Sequence, residues 1–155
     1  MSNKFLVFLS VLFLLFLGIA LVKANSQTKT TENDSKRYLT VNNQTIQIEI
    51  AQSAQDVANG LGNRDFLPEN YGMLFLFRER SYPVFWMKNM RFPLDFIWID
   101  GEIIVDVTEN VSHKDQKKIY SPKFLIDKVL EVNAGFVNNN NIKIGDKIQF
   151  DKPVQ

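Results

Sequence analysis

The chain contains no cysteine. That excludes thiol redox chemistry, disulfide staples, zinc–thiolate sites and lipid attachment through a cysteine, and it removes thiols as a guide to compartment. Histidine is nearly missing too, with His113 the sole example. One histidine and no thiol leave only an all-carboxylate site for a hard ion, and no segment carries the calcium-loop pattern. Neither a metal nor a cofactor is expected. His113 follows Ser112, with Asp106 and Asp115 nearby, yet there is no Gly-x-Ser-x-Gly elbow. A histidine in a polar, mobile stretch also lacks the fixed orientation that general-base work requires, so no catalytic residue is assigned. An excess of one charge is absent as well. From Tyr38 onward, 13 Lys and Arg stand against 15 Asp and Glu, a net charge of −2. Such a balance offers no broad positive field, and nucleic acid is not an expected partner. There is no internal repeat.

What is present begins at the N-terminus. Phe5 to Val22 is apolar apart from Ser10 and Gly18, and Val22-Lys23-Ala24 places small residues where a signal peptidase inspects the chain. The run exceeds the ~7 to 15 residues of a cleaved signal core and falls in the ~17 to 25 range of a spanning helix. Residues 1–24 are therefore expected to be either a signal peptide or a membrane anchor, in both cases an N-terminal apolar helix. An extracytoplasmic location follows, membrane-anchored through residues 5–22 or secreted and periplasmic. Asn25 to Arg37 is rich in Thr, Ser, Asn, Lys and Asp, the composition of a disordered polar linker. Residues 38–155 remain, enough for one folded body.

Within that body, Thr45 to Ile50 alternates, with Ile46, Ile48 and Ile50 on one face, and predicts a half-buried strand. Ser53 precedes Asp56 by three residues, a capping-box spacing, and Ala54, Val57, Ala58 and Leu61 form a short apolar stripe that Gly60 and Gly62 end. A two-turn helix is expected there. Leu67 to Gly72 reads as a loop, Met73 to Phe77 as a buried strand and Arg78 to Tyr82 as a charged connection. Pro83 opens another strand, and Leu94 to Ile99 continues through Asp100-Gly101 into Glu102 to Thr108 as a tight hairpin. Glu109 to Pro122 is expected to be a long, mobile loop. Ile126 to Asn133 predicts a strand, Ala134 to Asn138 a helical turn, and a last strand ends at Phe150. Many short strands and at most two short helices define a mostly β fold, a small single-domain barrel or sandwich.

One stretch carries more than packing information. From Val84 to Asp100 large apolar residues surround Lys88, Asn89, Arg91 and Asp95. On a strand Asp95 shares its face with Ile97 and Ile99, while Leu94, Phe96 and Trp98 face the other way. A carboxylate on so apolar a face must be paired, hydrogen-bonded or protonated, because an unpaired buried ion costs on the order of several kcal/mol.

The pattern Gly60-Leu61, Arg64, Leu67-Pro68, Gly72-Met73-Leu74-Phe75, Phe85-Trp86-Met87-Lys88-Asn89, Pro93-Leu94-Asp95, Ile99-Asp100, Val129-Leu130-Glu131, Ala134-Gly135 and Gly145-Asp146 resembles the family catalogued as domain of unknown function one-nine-two. The resemblance spans Thr45 to Phe150 and departs at Gly62-Asn63, where the family usually carries Met and a bulky residue. That departure bears on the wall or helix end near Arg64. The resemblance implies a compact β-rich domain, often exported, and no established activity.

Two readings of the signature follow. In the first, Arg64, Lys88, Asn89, Asp95 and Trp86 converge on a ligand site of a non-catalytic binding or accessory module of the cell envelope. In the second, Asp95 accepts backbone N–H groups of the Asn89 to Pro93 turn as a fold lock, while Lys88 reaches water. The large apolar residues Phe85, Trp86, Met87, Phe92, Phe96 and Trp98 are expected to be mostly core rather than a stacking platform. An enzymatic alternative is a hydrolase acting on envelope material through Asp95 with Lys88 or Arg64. It needs a second group, for which Glu79, Asp100 and Glu131 are candidates.

Overall fold

A computed structural model describes residues 36–154. The apolar run and most of the polar linker expected ahead of the body lie outside the described residues. Among those described, no helix is long and apolar enough to cross a membrane.

The chain opens with a hairpin, β1 (Arg37–Val41) and β2 (Gln44–Ala51), closed by Asn42 and Asn43 with φ of 46° and 64°. Positive φ at both turn positions is the conformation whose twist matches the flanking strands, and Asn tolerates it better than other side chains. Arg37 thus belongs to the sheet and not to the linker. Every described non-glycine residue with positive φ is an Asn, seven in all, which gives the Asn richness of the chain a backbone role.

Helix α1 (Ala54–Asn59) starts with the expected capping box. The Asp56 N–H donates to Ser53 Oγ and the Ser53 N–H to Asp56 Oδ2, both at 3.0 Å. Strand β3 (Tyr71–Ser81) runs parallel to β2, so the intervening segment with α1 is the crossover that such a pair requires. Strand β3 continues through Arg78, Glu79 and Arg80, where a charged connection was expected.

The short β4 (Phe85–Trp86) pairs with β7 (Ile119–Tyr120) in a small second sheet, so part of the expected Glu109 to Pro122 loop is ordered strand. Strands β5 (Leu94–Asp100) and β6 (Ile103–Val111) make the expected hairpin through Gly101 and Glu102, with Gly101 at φ 60°. Strand β8 (Ile126–Asn133), helix α2 (Phe136–Asn139) and β9 (Ile148–Phe150) complete the body.

The main sheet has the order β6-β5-β8-β3-β2-β1-β9 and curls into a half-barrel. Its edges come together where Ile103 bridges Lys147, the Ile104 N–H donates to the Asp146 carbonyl (3.0 Å) and the Ile148 N–H to the Glu102 carbonyl (2.9 Å). Two cores result. The concave face buries Leu39, Ile46, Leu74, Ile97, Ile99, Leu130 and Val132 with α2, and the convex face buries Met73, Phe75, Met87, Leu94, Phe96, Trp98 and Val129 under the segments before and after β3. Strand β5 is covered on both sides, with Leu94 through Ile99 all buried. At ~1.5 to 3 kcal/mol for each large apolar side chain, it contributes more per residue than any edge strand. Trp98 illustrates the separation of roles. It is fully buried with its indole N–H donated to Thr108 Oγ1 at 2.9 Å, whereas Trp86 is 53% exposed.

Candidate functional site

Asp95 is fully buried on the concave face of β5. The Asn110 N–H donates to its Oδ1 at 2.7 Å and the Val137 N–H to its Oδ2 at 3.0 Å. Val137 lies in the first turn of α2, whose Gly135 cap brings no side-chain acceptor, so the carboxylate supplies the missing partner. The side chain joins β5, the end of β6 and α2. These donors correct the expectation that the Asn89 to Pro93 turn would supply them. None of the ion pairs among the described residues includes Asp95.

The convex face carries a different acid. Glu131 on β8 lies between Met73 of β3 and Phe96 of β5 in register, one residue along from Val132, which pairs with Asp95. Adjacent residues on a strand point to opposite faces, so Glu131 and Asp95 have the sheet between them. Glu131 is only 4% exposed, and its Oε2 is buried without a hydrogen-bond partner. Asp106, the remaining buried acid, accepts from the N–H groups of Val107 and Lys123. Burial pushes the Glu131 carboxyl up from 4.5 to about 8, with the Arg64 charge pulling part of the way back. The group is therefore protonated at neutral pH.

Above Glu131 opens a cleft of about 230 Å³. Its walls are Val57 to Leu61 at the end of α1, Phe75 and Phe77 of β3, and Pro83 to Trp86 with Lys88 and Met90. The apolar stripe of α1 contributes here in an unexpected way. The helix has no buried residue, and Val57 faces the cleft with 44% exposure rather than entering the core. Phe85 is fixed by edge-to-face contacts with Phe75 (5.0 Å between centroids) and Trp98 (5.6 Å), and by pairing with Tyr120. The wall is thus held in place by the core behind it. Gly60 closes the helix at φ 50°, and a Cβ there would lie 3.6 Å from Phe75 Cζ and 3.9 Å from Glu131 Oε2. At Gly62 a Cβ would meet the Asn59 carbonyl at 2.8 Å and the Lys88 carbonyl at 3.2 Å, so any side chain there must push the helix end away from the Lys88 segment.

The residues singled out from the sequence separate. Trp86 and Lys88 line the cleft, with the Lys88 ammonium 5.7 Å from the Trp86 ring centroid. Arg64 stands beside the cleft and is held in a bidentate pair with Glu49, 2.7 and 2.8 Å, which keeps the Glu49 carboxyl below its usual range. Asn89 is a turn residue at φ 59°, its N–H donated to Gln116 Oε1 and its carbonyl accepting from Asn63. Asp95 is on the other face. Phe75, Phe77 and Val57 were not among the site residues expected, and Glu131 was expected only as one of three possible second groups of a hydrolase. The same signal that marked Asp95, an acid on an apolar strand at Val129-Leu130-Glu131-Val132, marks Glu131 as well.

A larger hollow of about 520 Å³ beside Leu76, Phe77, Arg78 and Lys128 holds no orphaned group, since Lys128 Nζ donates to Asp127 (2.9 Å) and the Gly101 carbonyl (2.8 Å). Among the described residues, no group of three or more His, Asp or Glu could hold a metal ion.

Fold and site together define a small, mostly β domain in which a curled sheet separates a sealed acid from one that lines an apolar cleft. The chain belongs to the DUF192 family, described as an uncharacterized ACR, whose pattern covers residues 37–150. It is similar to a Sinorhizobium meliloti protein described as a candidate transcription regulator, with 28% identity and a TM-score of 0.69 over 75% of this chain and 94% of the other. It is also similar to a Novosphingobium aromaticivorans protein of unknown function, with 27% identity and a TM-score of 0.67 over 74% of this chain and 83% of the other. No functionally curated protein matches it.

Proposed function

We propose that the domain is a non-catalytic binding module acting outside the cytoplasm, tethered through residues 5–22 or released, and that the cleft over Glu131 is its ligand site. The observation that carries this reading is that Glu131, a buried acid whose Oε2 has no hydrogen-bond partner, lines the cleft. A buried polar atom without a partner is destabilising by ~1 to 3 kcal/mol, and a ligand group that reaches it removes that penalty. The exposed apolar rim of Val57, Val84 and Trp86 supports the same opening. Support for export comes from the apolar run at Phe5 to Val22 and the small residues that follow it.

The lining favours binding over catalysis. Among the described residues, Glu131 and Lys88 are the only ionisable groups lining the cleft, with no second carboxylate and no Ser, Thr or His. A hydrolase built on Asp95 with Lys88 or Arg64 would need these groups to meet, and the sheet lies between them. The regulator description of the Sinorhizobium relative gains no support here from a body of net charge −2.

The test is a fragment screen on the full chain, read by thermal shift and by amide chemical shifts. Binding fragments are expected to raise the melting temperature and to move Gly60, Phe75, Lys88 and Glu131. Both effects should vanish in Ala58→Trp, which fills the cleft from α1. A screen in which no fragment moves those four residues overturns the assignment.

A further inference from the structure

We infer that the ligand carries a protonated amine, its cationic head seated on the Glu131 carboxylate and its apolar body against Phe75, Phe77, Phe85 and Trp86. The inference rests on the binding reading above and gives its ligand a chemical class.

Four observations lead to it. No group of the protein donates to Glu131 Oε2, and Glu131 lines the cleft, so a ligand there can supply a donor to its carboxyl group. The nearest guanidinium, Arg64, is already committed to Glu49 through both of its terminal nitrogens. The walls are aromatic, and ring faces attract cations more strongly once water is excluded. At the mouth an ammonium already occupies this kind of environment, since Lys88 Nζ sits over the Trp86 ring.

The electrostatics of the cleft agree. Strands β3 and β5 flank Glu131 with Met73 and Phe96, so the charged groups around it are Arg64, tied to Glu49, and Lys88 at the mouth. With no cation in contact, burial keeps the acid neutral and avoids an uncompensated charge. An ammonium entering the cleft supplies the missing countercharge. The carboxyl then releases its proton to solvent, and the ion pair forms inside an apolar wall. An anionic ligand gains nothing from a neutral or negative floor.

The experiment uses three nearly isosteric probes, benzylammonium, benzyl alcohol and benzoate, titrated into the full chain and into Glu131→Gln while amide shifts of Gly60, Phe75 and Lys88 are followed. Benzylammonium is expected to bind the native chain at least about tenfold tighter than benzyl alcohol, with benzoate weakest. Glu131→Gln, checked for an unchanged fold by its melting curve, should cost benzylammonium at least about tenfold and benzyl alcohol less than about twofold. Between about pH 6 and 7.5, benzylammonium affinity for the native chain should rise nearly tenfold per unit, as linkage to a released proton demands. Equal affinities for benzylammonium and benzyl alcohol, or equal losses in Glu131→Gln, overturn the amine assignment and leave the cleft as a ligand site. If none of the probes moves the cleft residues, both proposals fall.

Discussion

Two buried carboxylates lie almost back to back in this domain, and their surroundings could hardly differ more. Asp95 faces the concave core, where backbone N–H groups from β6 and α2 each take one of its oxygens. Glu131 faces the convex side, where Oε2 has no donor and a cleft opens above it. A carboxylate that the backbone satisfies completely joins elements together and has nothing left for a ligand. One that the fold leaves unsatisfied is held at a cost in stability, and such groups concentrate at sites.

The largest effect expected from breaking this contrast is at Asp95. Asp95→Ala leaves the Asn110 and Val137 N–H groups buried without an acceptor, and urea denaturation should show a loss of about 3 to 5 kcal/mol. A loss below about 1 kcal/mol would mean that the concave acid is not the tie described here. Next comes the pH dependence set by Glu131. Its folded value of about 8 lies above the unfolded value of 4.5, so between those limits the native state holds a proton that the unfolded chain has lost. Its stabilising contribution is complete below about pH 4.5 and is lost as pH rises through about 8, on the order of a few kcal/mol in all. Glu131→Gln should flatten that slope: its stability should match that of the native chain to within about 1 kcal/mol near pH 4 and exceed it by roughly 3 kcal/mol at pH 7, measured by denaturation across the range.

Smaller effects sharpen the comparison at the cleft itself. Ser53→Ala removes the cap of α1 and should cost about 1 kcal/mol, with faster amide exchange confined to residues 54–60. The smallest is Arg64→Met. Loss of this half-exposed pair should change stability by less than about 1 kcal/mol. Because the Arg64 charge lowers the Glu131 value, the Glu131 carboxyl should titrate at higher pH in the variant, which carboxyl NMR would read directly. No change in that titration would remove Arg64 from the surroundings of the site.

Much of this arrangement was legible in the residues. The capping box at Ser53 and Asp56, the hairpin around Gly101 and the burial of Asp95 beneath an apolar strand are local, set by spacing along a few residues. The hairpin at Asn42-Asn43 was legible in principle, since two residues tolerant of positive φ separate alternating runs at Tyr38 to Val41 and Gln44 to Ile50. It was hidden because the polar stretch ahead of it reads as linker through Arg37. Strand β7 escaped for another reason. Ile119 and Tyr120 sit in a charged, lysine-rich run, and only their pairing with Phe85 and Trp86 makes them a strand. The site divided likewise: Trp86 and Lys88 were visible in the signature, whereas Asp95 drew attention for a burial that serves the fold.

By itself the sequence determined the mostly β class, the helix cap, the β5–β6 hairpin and the fact that any charge within Leu94 to Ile99 must be compensated, because periodicity and propensity act over a few residues. Only the tertiary structure decided which acid is sealed and which is left open. That outcome depends on which backbone N–H groups reach each face of the curled sheet. Those groups come from α2 and the end of β6 on one side and are missing beneath the cleft on the other, and their positions are fixed by long-range packing that no local stretch encodes.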